Sequence, residues 1–166
     1  MSVKKVAFIG LRHGHITSLY QRIKKDSRFE IVAVCEEDAQ AAKMAAESWN
    51  IETTHTDFNA MLAEVEFDIL AVGDYYGIRG QLIIRALKAG KHVIADKPIC
   101  TSLAELAQIR TLSAEKKLKV ACMLDLRYDG AIRTAKKLVE AGRLGKIHAM
   151  SFTGQHPLSS GTRPMW

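Results

Sequence analysis

The sequence lacks several features that would place it in a specialised class of protein. No apolar run approaches the roughly 20 residues that a membrane-spanning helix requires. The apolar stretch near the N-terminus is short, so we expect no signal peptide. The three cysteines, Cys35, Cys100 and Cys122, are odd in number and lack metal-ligand spacing. This pattern predicts reduced thiols in a cytoplasmic protein and excludes a disulfide-stapled fold.

The composition is that of an ordinary globular chain of one domain's length. Its 166 residues are 48% hydrophobic and 25% charged, which suffices to bury about 70% of the unfolded surface. The net charge of +6 suggests nucleic acid, but the basic residues are scattered over predicted helices, as Lys24-Lys25, Lys116-Lys117-Lys119 and Lys136-Lys137. We interpret these groups as solvated helix faces and predict no nucleic-acid partner and no membrane.

Apolar runs alternate with helical patterns along most of the chain. We predict strands at residues 6–9, 30–35, 51–54, 68–72, 91–95 and 120–124. The predicted helices cover residues 15–25, 38–49, 78–89, 102–117 and 130–141, and another begins at its N-cap Asp57. Ser102 and Glu105 have the spacing of a capping box. Continuous apolar strands indicate coverage of both sheet faces, so we predict an α/β fold with a Rossmann-type doubly wound parallel sheet.

The pattern changes after Gly145. Residues 146–153 alternate in side-chain character, as a one-sided antiparallel strand does. We therefore predict a dinucleotide-binding domain over residues 1–125. Residues 126–166 would then supply a connecting helix and the first strand of a truncated α+β domain for substrate binding or oligomerisation. Such a strand either pairs with another chain or belongs to a longer protein, and we favour the second interpretation.

The loop after the first strand indicates dinucleotide binding. An apolar run leads to Gly10 and then to a helical pattern, as in the G-x-G-x-x-G fingerprint. The second and third glycine positions hold Arg12 and His15. Arg12 either clamps a phosphate bidentately or fills the groove and excludes the cofactor. His13 and His15 suggest metal ligation, but no third ligand lies at a telling spacing, so we predict no metal site.

Polar segments follow the other predicted strands as well. They are residues 36–38, 73–77, 96–98 and 125–128. Ligands of open α/β sheets gather outside the carboxyl ends of the strands, near the point where the strand order reverses. The sequence therefore predicts a ligand-binding rim built from separated segments.

Several of these segments resemble one family. Residues 89–98, Ala-Gly-Lys-His-Val-Ile-Ala-Asp-Lys-Pro, are similar to the A-G-K-H-V-x-x-E-K-P segment of the Gfo/Idh/MocA oxidoreductases, with Asp96 in place of glutamate. Arg127-Tyr128 and residues 141–147 are similar to its R-[FY] and G-x-[IL]-G-x-[IV] passages. The chain departs from the family's T-P-N-x-x-H, because residues 74–79 read Asp-Tyr-Tyr-Gly-Ile-Arg. The family uses nicotinamide dinucleotides on sugars, inositols and related polyols.

The resemblance and the strand-end positions together nominate the site residues. We expect cofactor contacts from Gly10, Arg12, His13, Gly14, His15, Glu36, Asp74, Tyr75, Tyr76, Asp96, Lys97 and Arg127. Glu36 would accept hydrogen bonds from the adenosine ribose and repel a 2′-phosphate, which favours NAD over NADP. Lys97 is the candidate catalytic residue, because an ammonium group there would polarise a substrate hydroxyl or carbonyl.

Each assignment has a plainer alternative. Glu36 also fits a charged helix N-terminus, and Lys97 fits an ordinary surface lysine. Tyr75 and Tyr76 are either cofactor contacts or surface aromatics. Arg127 binds either a ligand or a neighbouring acid at the rim.

The resemblance implies the NAD-binding domain of an oxidoreductase that acts on a sugar-, inositol- or polyol-like alcohol or carbonyl. The family's usual base lies on a second domain, so these 166 residues alone should bind cofactor but turn over little or nothing. The resemblance also implies a small polar substrate and a homo-oligomer in the full-length protein. The alternative is a redox-inactive nucleotide-binding or regulatory protein on the same scaffold. A smaller possibility is transient use of NAD in lyase or glycosidase chemistry.

Overall fold

The computed structural model describes residues 2–154. Its strands are β1 Lys4–Ile9, β2 Phe29–Cys35, β3 Ile69–Val72, β4 His92–Ala95 and β5 Val120–Cys122. Its α-helices are α1 His15–Lys24, α2 Ala39–Trp49, α3 Phe58–Glu64, α4 Tyr76–Lys88, α5 Leu103–Glu115 and α6 Gly130–Glu140, and a 3-10 helix spans Asp125–Tyr128. The described residues divide into two compact units between Met123 and Leu124.

The sheet belongs to the first unit and is parallel throughout, in the order β2-β1-β3-β4-β5. Alternate residues of β1 enter two different apolar clusters. Val6 and Phe8 pack with Ile16 of α1, whereas Ala7 and Ile9 pack with residues of α3, α4 and α5. Both faces of the sheet are therefore covered, which confirms the doubly wound prediction. The strand order reverses at β1, and this places the expected ligand crevice at the carboxyl ends of β1 and β3.

The strand predicted at residues 51–54 is wrong, and the sheet has five strands rather than six among the described residues. Thr54 explains the difference. Its hydroxyl accepts the Val34 N–H at 3.0 Å and donates to the Val34 carbonyl at 3.1 Å. The hydroxyl thus takes the Val34 N–H that a further strand would bind, while the Val34 carbonyl also accepts the Thr54 and His55 N–H groups at 2.8 and 3.2 Å. A single bridge, between Cys35 and His55, remains of the expected pairing.

Of the two helix caps predicted from the sequence, one forms and the other does not. Asp57 caps α3 as predicted, since its carboxylate accepts the Ala60 N–H at 2.9 Å. The capping box of Ser102 and Glu105 is wrong, because Ser102 makes no side-chain capping bond. Glu105 instead accepts a hydrogen bond from Gln81 of α4 at 2.7 Å. The packing of α4 against α5 takes this carboxylate away from its own helix.

The strand predicted at residues 146–153 does not form within residues 146–154. A strand exists only by hydrogen bonding to a partner, and the described part of the second unit offers none. The predicted helix does form as α6, with the Asp129 carboxylate accepting the N–H groups of Ala131 and Ile132. In residues 2–154 no helix is both long and apolar enough to span a membrane.

Gly10 is the backbone position at which the β1 and β3 ends meet. It has φ +78°, and a Cβ added there would lie 2.6 Å from the Asp74 Cα. Gly90 has nearly the same backbone, φ +79°, but a Cβ there would meet nothing within 4 Å. The two glycines therefore share a conformational requirement, and only Gly10 adds a steric one.

This pair gives a matched test of the close approach. Gly90→Ala should lower the free energy of unfolding by about 1–2 kcal/mol, because alanine disfavours left-handed backbone. Gly10→Ala should cost at least about 2 kcal/mol more, because backbone atoms of Asp74 must also move. Urea unfolding followed by circular dichroism measures both. Equal losses would show that the Gly10–Asp74 contact does not constrain the fold.

Candidate functional site

The candidate site is the rim formed where β1, β2, β3 and β4 end. Two glycines bring its segments together. Gly10 allows the chain after β1 to approach Asp74 closely. Gly73 allows the chain after β3 to approach α1 closely, since a Cβ at Gly73 would lie 2.4 Å from the Ile16 Cβ. The close approach of α1 to the sheet, which the fingerprint assigns to its third glycine, is made here at Gly73 instead.

Glu36 connects the end of β2 to the loop after β1. It is 1% exposed, and its carboxylate accepts the Leu11 N–H at 2.5 Å and the Asp38 N–H at 2.9 Å. Burial raises the pKa of the Glu36 carboxyl, while the two N–H groups oppose that shift. The carboxylate therefore holds the Gly10–His15 loop in place before any ligand is considered.

Arg12 forms an ion pair with Asp74 across the crevice. Its Nε lies 2.8 Å from Oδ1 and its Nη2 donates to Oδ2 at 3.1 Å, while the guanidinium stacks 4.6 Å from the centre of the Tyr75 ring. Burial opposes the charge of Arg12, but Asp74 outweighs it and raises the pKa of the guanidinium. The side chain in the second glycine position is thus anchored to the β3 side of the rim.

Arg79 is the residue that sequence analysis missed. It is fully buried in α4, and its guanidinium donates to the backbone carbonyl of Asp74, to the Asp96 carboxylate at 3.2 Å, and to the carbonyls of Lys97 and Pro98 at 2.6 and 3.1 Å. Burial lowers the pKa of Arg79, and the charges of Asp96 and Asp74 oppose that shift. The only sequence signal was its place in the segment that departs from the family's T-P-N-x-x-H.

The Asp96 carboxylate contacts groups from three segments: α4, its own backbone after β4, and the loop after β1. Its side chain is 1% exposed. Besides Arg79, its oxygens lie 2.7 Å from the Lys97 N–H, 2.6 Å from the Nδ1 of His13 and 3.3 Å from the Nδ1 of His15. Burial lowers the pKa of His13, against the opposing effect of the Asp96 charge. The two imidazoles predicted from the loop after β1 therefore converge on the carboxylate at the end of β4.

Lys97 combines a fixed backbone with an exposed side chain. Asp96 accepts its N–H and Arg79 donates to its carbonyl, so both of its backbone polar groups are bound. Its ammonium group extends from the rim toward solvent. The backbone of Lys97 is held in place while its side chain is accessible. Such an arrangement suits a residue that acts on a bound small molecule.

The structure brings most of the predicted residues to one edge of the sheet. They are Gly10, Arg12, His13, Gly14, His15, Glu36, Asp74, Tyr75, Tyr76, Asp96 and Lys97. Arg127 lies in the 3-10 helix of the second unit, and its role stays a prediction. A separate groove of about 470 Å³ runs along the outer edge of β2, between Tyr20 and Thr54, and contains none of these residues.

The rim has the features of an anion and small-molecule site. Gly14 stands at the N-terminus of α1 without a side-chain cap, and a Cβ at Gly14 would meet nothing within 4 Å. Helix N-termini carry a partial positive charge, which suits phosphate; in α1 the Ile16 and Thr17 N–H groups donate to the carbonyls of His13 and Gly14 at 3.2 and 3.3 Å. Asp74 and Asp96 are each paired with an arginine, and Glu36 accepts two backbone N–H groups, so each buried acid of the rim has partners.

Comparison with known proteins agrees with this geometry. The profile of the Gfo/Idh/MocA family, described as an oxidoreductase family with an NAD-binding Rossmann fold, matches residues 4–124. An uncharacterized oxidoreductase of Schizosaccharomyces pombe is 34% identical over 123 residues, or 73% of this chain and 33% of that protein. Myo-inositol 2-dehydrogenase of Thermotoga maritima is 24% identical over 156 residues, or 92% of this chain and 46% of that protein.

A solved structure shows the same fold. Scyllo-inositol dehydrogenase from Lactobacillus casei, crystallised with NAD(H) and scyllo-inositol, has a TM-score of 0.75 and 25% identity, covering 87% of this chain and 43% of that chain. The chain therefore spans between a third and a half of the length of these relatives. The chain belongs to the Gfo/Idh/MocA family of oxidoreductases and carries its NAD-binding Rossmann fold.

Proposed function

We propose that this chain is the cofactor-binding part of a dehydrogenase or reductase that acts on a sugar-, inositol- or polyol-like alcohol or carbonyl, with NAD preferred over NADP. One observation carries the proposal: the uncapped N-terminus of α1 and the exposed Lys97 lie at the same strand-end rim, where the strand order reverses. Relatives that act on inositols support the substrate class.

In this proposal the pyrophosphate of NAD lies at the N-terminus of α1. The open space around Gly14 gives the phosphates access to the backbone N–H groups. Glu36 lies at the β2 end of the same loop, where its charge would disfavour a 2′-phosphate. NAD supplies hydride transfer when it is bound.

Lys97 is the residue proposed to act on the substrate. Its ammonium group would donate a hydrogen bond to the oxygen of the reacting carbon and stabilise negative charge developing there. Substrate contacts and the base that accepts the alcohol proton would come from parts of the full-length protein outside this chain. We propose that the chain alone binds cofactor without turnover and, from the family resemblance, that the full-length protein is a homo-oligomer.

A second function rests on the Arg12–Asp74 ion pair, which crosses the crevice that a dinucleotide would enter. If that pair does not open or move aside, the scaffold is a redox-inactive binding or regulatory protein. Calorimetric titration of this chain with NAD, NADH, NADP and NADPH distinguishes the two functions. We expect binding of NAD and NADH with NADP weaker, and binding of none of the four would refute the cofactor proposal.

Glu36→Gln tests the origin of the preference. Removing one negative charge near the ribose should bring the affinities for NADP and NAD closer by about tenfold, or about 1.4 kcal/mol. Glu37→Gln is the matched control, because that neighbouring carboxylate accepts the Phe58 N–H at 2.9 Å, away from the loop. An unchanged ratio of NAD to NADP affinity in Glu36→Gln would show that Glu36 does not set the cofactor preference.

A double substitution determines what Arg12 does. The Asp74 side chain is only 4% exposed, so Arg12→Ala leaves a buried carboxylate without its cation beside the pyrophosphate site. We expect NADH affinity to fall about tenfold and to recover when Asp74→Asn is added, because Arg12 acts as the counterion of Asp74. A double variant as weak as Arg12→Ala would show instead that Arg12 grips the phosphate. Thermal unfolding checks that each variant is folded.

Lys97→Met in the full-length protein tests the catalytic assignment. With a panel of inositols and sugars as substrates, kcat should fall by about 10²–10⁴-fold, while the NADH dissociation constant stays within about twofold of the wild-type value. Lys119→Met is the control, since that lysine precedes β5 at the amino end of the strand. An unchanged kcat in Lys97→Met would show that Lys97 is an ordinary surface lysine without a catalytic role.

A further inference from the structure

We propose that His13, His15 and Asp96 form a binding site for one divalent transition-metal ion, with Zn²⁺ as the expected occupant. These three residues belong to the rim proposed to bind NAD, so the proposal concerns the chain without bound nucleotide and is tested in that state. Sequence analysis predicted no metal because no third ligand lay near the two histidines. The fold supplies that ligand from the end of β4, 81 residues along the chain from His15.

The geometry of the three side chains matches a three-ligand metal site. One ligand atom from each residue lies within 4.8 Å of the other two. A tetrahedral Zn²⁺ with bonds of about 2.0–2.1 Å holds its ligands about 3.3 Å apart. The Nδ1 of His15 is 3.3 Å from an Asp96 oxygen, and the Nδ1 of His13 is 2.6 Å from the other. The His15 distance equals the required spacing, whereas the His13 Nδ1 would have to move roughly 0.7 Å away from the carboxylate.

The two imidazole rings are arranged as two ligands of one ion are. Their centroids are 4.5 Å apart and their planes meet at 82°. Both rings place Nδ1 against the same Asp96 carboxylate. A metal ion would replace these two contacts with direct bonds to both imidazoles and the carboxylate.

Asp96 has the supporting contacts that a metal-binding carboxylate requires. Arg79 and the backbone N–H of Lys97 hold its two oxygens at 3.2 and 2.7 Å, and both of these donors are fixed by the fold. Ligands of protein metal sites are oriented by such outer contacts. The charges of Arg79 and Lys97, which both act on His13, lower the affinity of the site for a cation, and the Asp96 carboxylate offsets them.

The donor set and the access route select the class of metal. Two imidazoles and one carboxylate suit Zn²⁺ and neighbouring transition metals better than Mg²⁺ or Ca²⁺, which prefer oxygen ligands. Catalytic zinc sites use this composition and leave a position open for water or substrate. The side chains of His13 and His15 are 24% and 40% exposed, so an ion has a path from solvent to the buried Asp96 carboxylate.

The test is titration of the metal-free chain with Zn²⁺ by calorimetry and with Co²⁺ by visible absorption. We expect one ion per chain and the absorption of low-coordinate Co²⁺ with nitrogen and oxygen ligands. His13→Ala and His15→Ala should each weaken binding by more than about 100-fold, since losing even an outer-shell contact commonly costs about 10–100-fold. His148→Ala is the control, because that exposed histidine lies in the second unit.

Several outcomes would overturn the proposal. One is Zn²⁺ affinity in His13→Ala and His15→Ala equal to that of the wild type. Another is a Co²⁺–thiolate band, which would assign binding to a cysteine. Both histidine variants leave Arg79 and Asp96 intact, and thermal unfolding confirms their fold. Asp96→Asn, which keeps the shape of the side chain, should also lose Co²⁺ absorption; if that absorption persists, Asp96 is not a ligand.

Discussion

The buried guanidinium of Arg79 is the constraint on which the rest of the rim depends. A buried charge is costly unless it is paired and its hydrogen bonds are made. Arg79 meets that requirement with acceptors from two strand ends, the Asp74 carbonyl after β3 and the Asp96–Pro98 segment after β4. One side chain of α4 thus sets the positions of these two segments. Lys97 lies in the second of them, so Arg79 also sets the position of the Lys97 backbone.

The other ionic contacts extend from this centre as a connected chain. Asp74 receives Arg79 on its carbonyl and Arg12 on its carboxylate. Asp96 receives Arg79 together with His13 and His15. Because each acid is shared, the removal of one member changes the environment of the others, and single substitutions in the rim will not have additive effects. The loops after β1, β3 and β4 consequently behave as one unit.

The sequence allowed the fold to be predicted better than the contacts that shape the site. Continuous apolar runs identified the five strands that form, because burial on both faces leaves a local pattern. The prediction of a strand at residues 51–54 failed because the Thr54 hydroxyl, and not a backbone carbonyl, accepts the Val34 N–H, which no local pattern reveals. Arg79 was missed for a related reason. An arginine in the first turns of a helix is normally solvated, and only the three-dimensional placement of its acceptors shows that this one is buried.

The altered glycine fingerprint can be understood from the same geometry. Of its three positions only Gly10 has a positive φ, and only there would a Cβ collide with backbone atoms. Arg12 and His15 occupy backbone that any residue adopts, and Gly73 provides the close helix–sheet contact that the third glycine usually allows. The two replacements therefore cost the fold little. Their consequences fall on the ligand, because Arg12 places a guanidinium and His15 an imidazole where a dinucleotide would otherwise meet bare backbone.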